Sequence, residues 1–133
     1  EIHQEVGDDN IFVFGASSGE VIEHYAKGDY VARNYYENNP AIRAAIDFIT
    51  SDIMLQVGQK EHLERLKNEL INKDWFMTLL DFDSYKKAKE QALTAYTDQK
   101  EWAKKALVNI AKAGFFSSDR TIKQYNEDIW HLQ

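Results

Sequence analysis

Asp8-Asp9-Asn10-Ile11-Phe12-Val13-Phe14-Gly15-Ala16-Ser17-Ser18-Gly19-Glu20 is the stretch on which the fold of this chain turns. Ile11 to Phe14 form a continuous apolar run between turn-forming residues, the pattern of a strand covered on both faces, as in a parallel sheet. One buried strand cannot satisfy its own N–H and C=O groups and needs ladder partners. Upstream, Ile2 and Val6 are too sparse among Glu1, His3, Gln4 and Glu5 to predict more than a short second strand. Part of a sheet is therefore expected to lie outside the chain. The sequence also opens at Glu1 with no initiator Met, as expected of a processed, excised or cloned piece.

Beyond Gly15 the patterning is helical. Ser17 with Glu20 predicts a capping box, for a helix running to about Lys27 and stopped by Gly28. Asn39-Pro40 reads as N-cap plus first-turn proline ahead of Ile42, Ala45, Ile46 and Ile49. Leu63, Leu66, Leu70 and Ile71 mark a third helix. Trp75 to Phe82 is apolar but short, and reads equally as extended chain or as a tight helical turn. Asp83 is a candidate N-cap for a helix carrying Tyr85, Ala88, Ala92, Leu93 and Tyr96 on one face. Asp98 with Glu101 predicts the next start, and Gly114 ends a wide apolar face from Trp102 to Ala111. Ser117 or Ser118 caps a last helix bearing Ile122, Tyr125, Ile129 and Trp130, with Trp130 expected to pack on Trp102, Leu107 and Ile110. One strand and about six helices result, with no internal repeat, linker or domain boundary.

A chain of 133 residues with 44% hydrophobic and 13% aromatic residues can bury a core, which argues against disorder. Its 22 acidic and 16 basic residues are spread along the chain for a net charge of −6, so no basic stripe points to nucleic acid. The absence of cysteine excludes disulfides and thiolate metal sites and fits a reducing compartment. No apolar run approaches the roughly 18 residues that span a bilayer. A soluble protein with neither membrane nor nucleic acid as partner is expected.

Gly15-Ala16-Ser17-Ser18-Gly19 matches the G-x-S-x-G nucleophile elbow and stands between the expected strand and helix, as that motif requires. An elbow serine needs earlier strands, an oxyanion-hole loop and a later base. Only ten residues precede Ile11, and Asp128 and His131, although in the right order, fall at the end of the last helix. A helix cap is the favoured role for Ser17, with a serine hydrolase fragment as the weaker alternative. The loop is also a poor phosphate cradle, for it lacks the lysine of a P-loop and the third glycine of a dinucleotide fingerprint. His3, His24, His62 and His131 show no metal-ligand spacing and read as surface residues. Asp8-Asp9, Asp81 with Asp83, and Glu127-Asp128 could bind a hard cation or move protons, but caps and solvated faces explain them more simply. The aromatic stripes read as core. No catalytic, cofactor-binding or metal residue is predicted.

Glu101-Trp102, Asn109-Ile110-Ala111, Gly114, Phe116-Ser117-Ser118-Asp119-Arg120-Thr121-Ile122, Tyr125 and Ile129-Trp130 together resemble the closing signature of the α-glucan phosphorylases (glycogen, starch and maltodextrin phosphorylase), EW…NIA.SGKFSSDRTI..Y…IW. Val6-Gly7, Asn10 and Phe12-Val13-Phe14-Gly15 are similar to that family's VG..N.F.FG segment. Tyr35-Tyr36 and Asp81-Phe82-Asp83-Ser84-Tyr85 resemble further blocks in the same order, so the likeness covers essentially the whole chain. Departures are the stretch from Asp52 to Lys60, which lacks a GxFSP-like sequence, Phe115 for the usual lysine, and Gly19 for a helix former.

The resemblance implies a mainly α chain that forms the C-terminal part of a Rossmann-like α/β domain in a two-domain glycosyltransferase. Residues 1–133 would be the C-terminal segment of its cofactor-bearing domain. The parent enzyme would use pyridoxal phosphate and inorganic phosphate to release glucose 1-phosphate from α-1,4-glucan ends. It would act in glycogen degradation and carbohydrate metabolism, as a cytoplasmic homodimer. The family's Schiff-base lysine lies in a GNMKF-type motif that this sequence lacks, so the resemblance carries no catalytic or cofactor residue onto it. The segment is expected to bind no pyridoxal phosphate, to be inactive alone, and to have the remainder of the phosphorylase chain as its partner. A free-standing acidic helical interaction module is the alternative, with Ile11 to Phe14 adding to a partner's sheet edge.

Overall fold

The structure, a computed structural model, describes Glu1 to Gln133 and is built from helices joined by turns. In chain order they are α1 (Ile2–Val6), α2 (Ser18–Lys27), α3 (Ala32–Asn38), α4 (Pro40–Phe48), α5 (Asp52–Leu55), α6 (Lys60–Asn72), α7 (Phe82–Tyr96), α8 (Gln99–Ala113) and α9 (Ser118–Tyr125). A π-type turn, Asn126–Trp130, closes the chain. No helix is long and apolar enough to cross a membrane.

Most helix starts follow from local side-chain chemistry. Ser17 Oγ accepts the Glu20 N–H (3.3 Å), and Glu20 Oε2 accepts the Ser17 N–H (2.7 Å), completing the capping box of α2. Gly28 ends that helix in the left-handed region at φ 63°. Asn39 Oδ1 accepts from Ala41 (3.0 Å) and Ile42 (3.2 Å) at the proline start of α4. Asp98 Oδ1 accepts from Lys100 (3.1 Å) and Glu101 (3.0 Å), and Ser117 Oγ from Arg120 (3.3 Å).

Several expectations are corrected. Ile11–Phe14 belongs to no strand: Ile11 is extended (φ −144°, ψ 149°), but no backbone–backbone hydrogen bond holds any of the four residues. A strand exists only with a partner, and the chain supplies none. Ile2–Val6 is the short helix α1 where the sequence alone allows a short second strand, and α3 and α5 are additional helices. Helix α7 starts at Phe82, one residue before the expected cap; the Asp81 carbonyl accepts from Tyr85 N–H (2.9 Å), leaving Asp83 in the first turn, where its charge suits the helix dipole. Trp130 packs on Tyr125 in its own segment (centroids 5.6 Å apart), while Trp102 meets Phe12 and Tyr96.

The chain divides into two compact units, Phe14–Ala88 and Glu1–Val13 with Lys89–Gln133. In Phe14–Ala88, helix α3 packs on α4 and α6 around Ala32, Ile42, Ile46, Ile71 and Leu79, with Tyr30, Tyr35, Tyr36, Leu70 and Phe82 at the margin. The other unit sets α1 and the Asp8–Asn10 turn against α8, and Val6 is its only buried apolar residue. Leu107, Ile110, Ile122, Ile129, Trp130 and Leu132 there are all about half exposed or more.

Candidate functional site

The loop that matches a nucleophile elbow is closed by the chain's own side chains. Gly15 has φ 93°, and a Cβ there would stand 2.8 Å from Asp81 Oδ2, so both the backbone angle and the close approach require glycine. The Gly15 N–H donates to Ser84 Oγ (3.0 Å), and the Ala16 N–H donates to Asp81 Oδ1 (2.9 Å). The anion that meets this loop's amides is thus an internal carboxylate, that of Asp81. The Ser17 hydroxyl accepts from the helix, and the Ser17 backbone N–H, then the hydroxyl beside it, hold the Glu20 carboxyl below its ordinary range. No base reaches Ser17 through this network. Asp128 and His131 lie in the chain's closing segment, where the His131 N–H is tied to the Asn126 carbonyl at 2.7 Å.

A second polar centre has no counterpart in the sequence reading. Asp74 is only 5% exposed and takes φ 36°, a strained angle for a residue with a side chain. Its Oδ2 accepts from the Tyr30 hydroxyl (2.5 Å) and the buried Leu79 N–H (2.8 Å). Burial, then the bond to Asp74, pushes the Tyr30 phenol's pKa well upward. Met77, also left-handed at φ 54°, turns inward, while Trp75 and Phe76 point outward. Tyr25 donates to the Trp75 carbonyl (2.6 Å), pinning the turn to α2. These contacts lock a turn and deliver no nucleophile or proton to an open site.

The remaining candidates are dispersed. His3 meets Asp8, and His24 Nδ1 lies 2.6 Å from Asp29 Oδ1, which helps hold Asp29 below its usual range. His62 lines a shallow hollow of α6 with Arg65, Leu66 and Glu69. Asp83 accepts from Asn39 (3.3 Å), and Glu127 faces Lys123 at 3.7 Å. No three His, Asp or Glu residues come together as a metal site. One ionic centre is structural: Asp47 accepts from Lys67 (2.7 Å) and Tyr36 (2.8 Å), tying α4 to α3 and α6. Those two bonds lower the Asp47 pKa, and the bond to Asp47 raises that of Tyr36.

The signature of the carbohydrate phosphorylase family matches residues 1–132. The chain is 58% identical to a maltodextrin phosphorylase of Streptococcus pneumoniae serotype 4 over 132 residues, 99% of this chain and 17% of that protein. It is 39% identical to a glycogen phosphorylase of Synechocystis, and 35% to one of Bacillus subtilis, each across 100% of this chain and 15% and 16% of those proteins. The chain therefore spans about one sixth of the length of these curated relatives.

Proposed function

Because this chain belongs to the carbohydrate phosphorylase family, we propose that it is the C-terminal structural segment of an α-1,4-glucan phosphorylase and contributes packing, not reacting groups, to that enzyme. The observation that carries this reading is the end-to-end match at 58% identity with only 17% of a maltodextrin phosphorylase. The resemblance of Phe116–Trp130 to the family's closing signature supports a place at the C-terminal end. The apolar surface it leaves open supports a larger partner in the same chain. The whole enzyme would release glucose 1-phosphate from glucan ends with phosphate, in the cytoplasm and as a homodimer.

The two polar clusters at Ser17 and Asp74 do not fit pyridoxal phosphate. Its phosphate would need free donors, yet the loop amides of Gly15, Ala16 and Ser17 are taken by Ser84, Asp81 and Glu20. Beside the two named clusters, at Ser17 and Asp74, no lysine takes part in the hydrogen bonding. The cofactor and the reacting groups belong, in this reading, to the rest of the enzyme.

The test replaces the matching segment of the S. pneumoniae maltodextrin phosphorylase with this chain and assays phosphate-dependent glucose 1-phosphate release. Activity within about tenfold of the parent, with none from the 133-residue chain alone, is expected from the shared sequence. If deleting the segment without replacement leaves activity intact, the structural role is wrong.

A further inference from the structure

An apolar groove of about 520 Å³ lies within Phe14–Ala88, walled by Phe14, Phe76, Phe82 and Tyr85 over Thr78 and Asp81. Phe14 meets Tyr85 edge-on, with ring centroids 5.0 Å apart, so one wall is built. Phe76 is 87% exposed and adjoins the other aromatic walls, so the groove is a contiguous apolar patch and not a single exposed ring. The position of Phe76 is held at a cost: the turn that presents it carries left-handed Asp74 and Met77, fastened by the Asp74–Leu79 and Tyr25–Trp75 bonds. The one charged group of the floor, Asp81, spends an oxygen on the Ala16 N–H. The groove offers shape and apolar contact, and little to hold a sugar or an ion.

We infer that this groove receives apolar side chains of one strand from the remaining five sixths or so of the phosphorylase chain, with Phe76 as the aromatic anchor. This rests on the structural-segment reading above. Two observations select a strand of the same enzyme over another occupant. Phe14 ends the run Ile11–Phe14, which starts extended and has no backbone–backbone hydrogen bond, so its ladder groups are open to a neighbouring strand. A strand beside Phe14 brings alternate side chains to the level of the groove that Phe14 walls. The relatives, matched over only 15–17% of their length, have ample chain to supply it.

The test places the photoreactive residue p-benzoylphenylalanine at position 76 in the active chimera and maps the cross-linked peptides by mass spectrometry. The expected product joins position 76 to an apolar segment outside the transplanted 133 residues. In parallel, Phe76→Cys, in a chain with no cysteine of its own, is expected to react with a thiol reagent at least tenfold more slowly in the chimera than in the isolated chain. An active chimera in which position 76 reacts at the isolated-chain rate overturns the inference and leaves the structural-segment reading standing. Cross-links confined to the transplanted segment, or to a second copy of the enzyme, overturn it too. An inactive chimera counts against the segment reading, and this inference falls with it.

Discussion

Replacing Asp74 by alanine removes the acceptor that holds the turn between α6 and α7. The Leu79 N–H is buried and loses its 2.8 Å partner, while the Tyr30 hydroxyl loses one at 2.5 Å. An orphaned buried donor costs about 1–3 kcal/mol, and alanine at a left-handed angle adds about 1–2 kcal/mol. The sum, about 2–5 kcal/mol, is a large part of the roughly 5–15 kcal/mol that holds a small domain. Asp74→Asn keeps an oxygen for Leu79 and tolerates φ 36°, so its loss stays below about 1 kcal/mol. Urea unfolding of both variants, followed by tryptophan fluorescence, gives the comparison. Alkaline stability adds a second readout. The Tyr30 pKa is raised in the folded state, so its contribution is complete below the unfolded value near 10 and is lost as pH rises above it. Asp74→Asn removes the negative partner and flattens that alkaline loss. Equal stability of Asp74→Ala and the parent, or equal losses for Ala and Asn, would refute the latch.

Ser17→Ala removes one capping bond and lowers stability by about 1 kcal/mol in thermal unfolding, with no change in background esterase activity; a drop in esterase turnover would revive the hydrolase alternative. The Asp47 pKa is lowered in the folded state, so its contribution is complete above the unfolded value near 3.8 and disappears as pH falls below it. Lys67→Met should shrink that acid-side loss in pH-dependent unfolding curves. Trp130 is 49% exposed and has Tyr125 as its ring partner, so Trp130→Ala should cost the isolated chain less than about 3 kcal/mol, below the 3–5 typical of a buried tryptophan. A collapse of cooperative unfolding in that variant would show that the ring fastens more than its own segment.

Short-range chemistry was legible in the sequence, and long-range chemistry was not. The starts of α2, α4, α8 and α9 lie in residue pairs two or three apart, whose capping bonds need no tertiary structure to predict. Helix α3 has Val31 before it, with no side-chain cap, and a body of Asn, Arg and Tyr; burying Ala32 in the core is what its sequence does not announce. The turn at Asp74 is set by a carboxylate reaching Leu79 and Tyr30, and Gly15 needs its glycine because of Asp81, whose bond to Ala16 spans 65 residues. Ile11–Phe14 shows the converse: its apolar pattern is that of a strand, but the ladder that would make it one is not in these residues. The G-x-S-x-G match likewise dissolves into caps and an internal carboxylate once the neighbours of Ser17 are known.

Hydrogen exchange along α8 measures most directly whether this segment is completed by the rest of a phosphorylase. Alone, α8 carries Leu107 at 65% and Ile110 at 71% exposure, and its unit buries Val6 alone among apolar residues, so its amides should open by local unfolding. In the active chimera, interior amides of Gln99–Ala113 are expected to exchange at least a hundredfold more slowly, a gain of about 2.7 kcal/mol in opening free energy at about 1.36 kcal/mol per decade. Equal exchange rates in the isolated chain and the active chimera would contradict it.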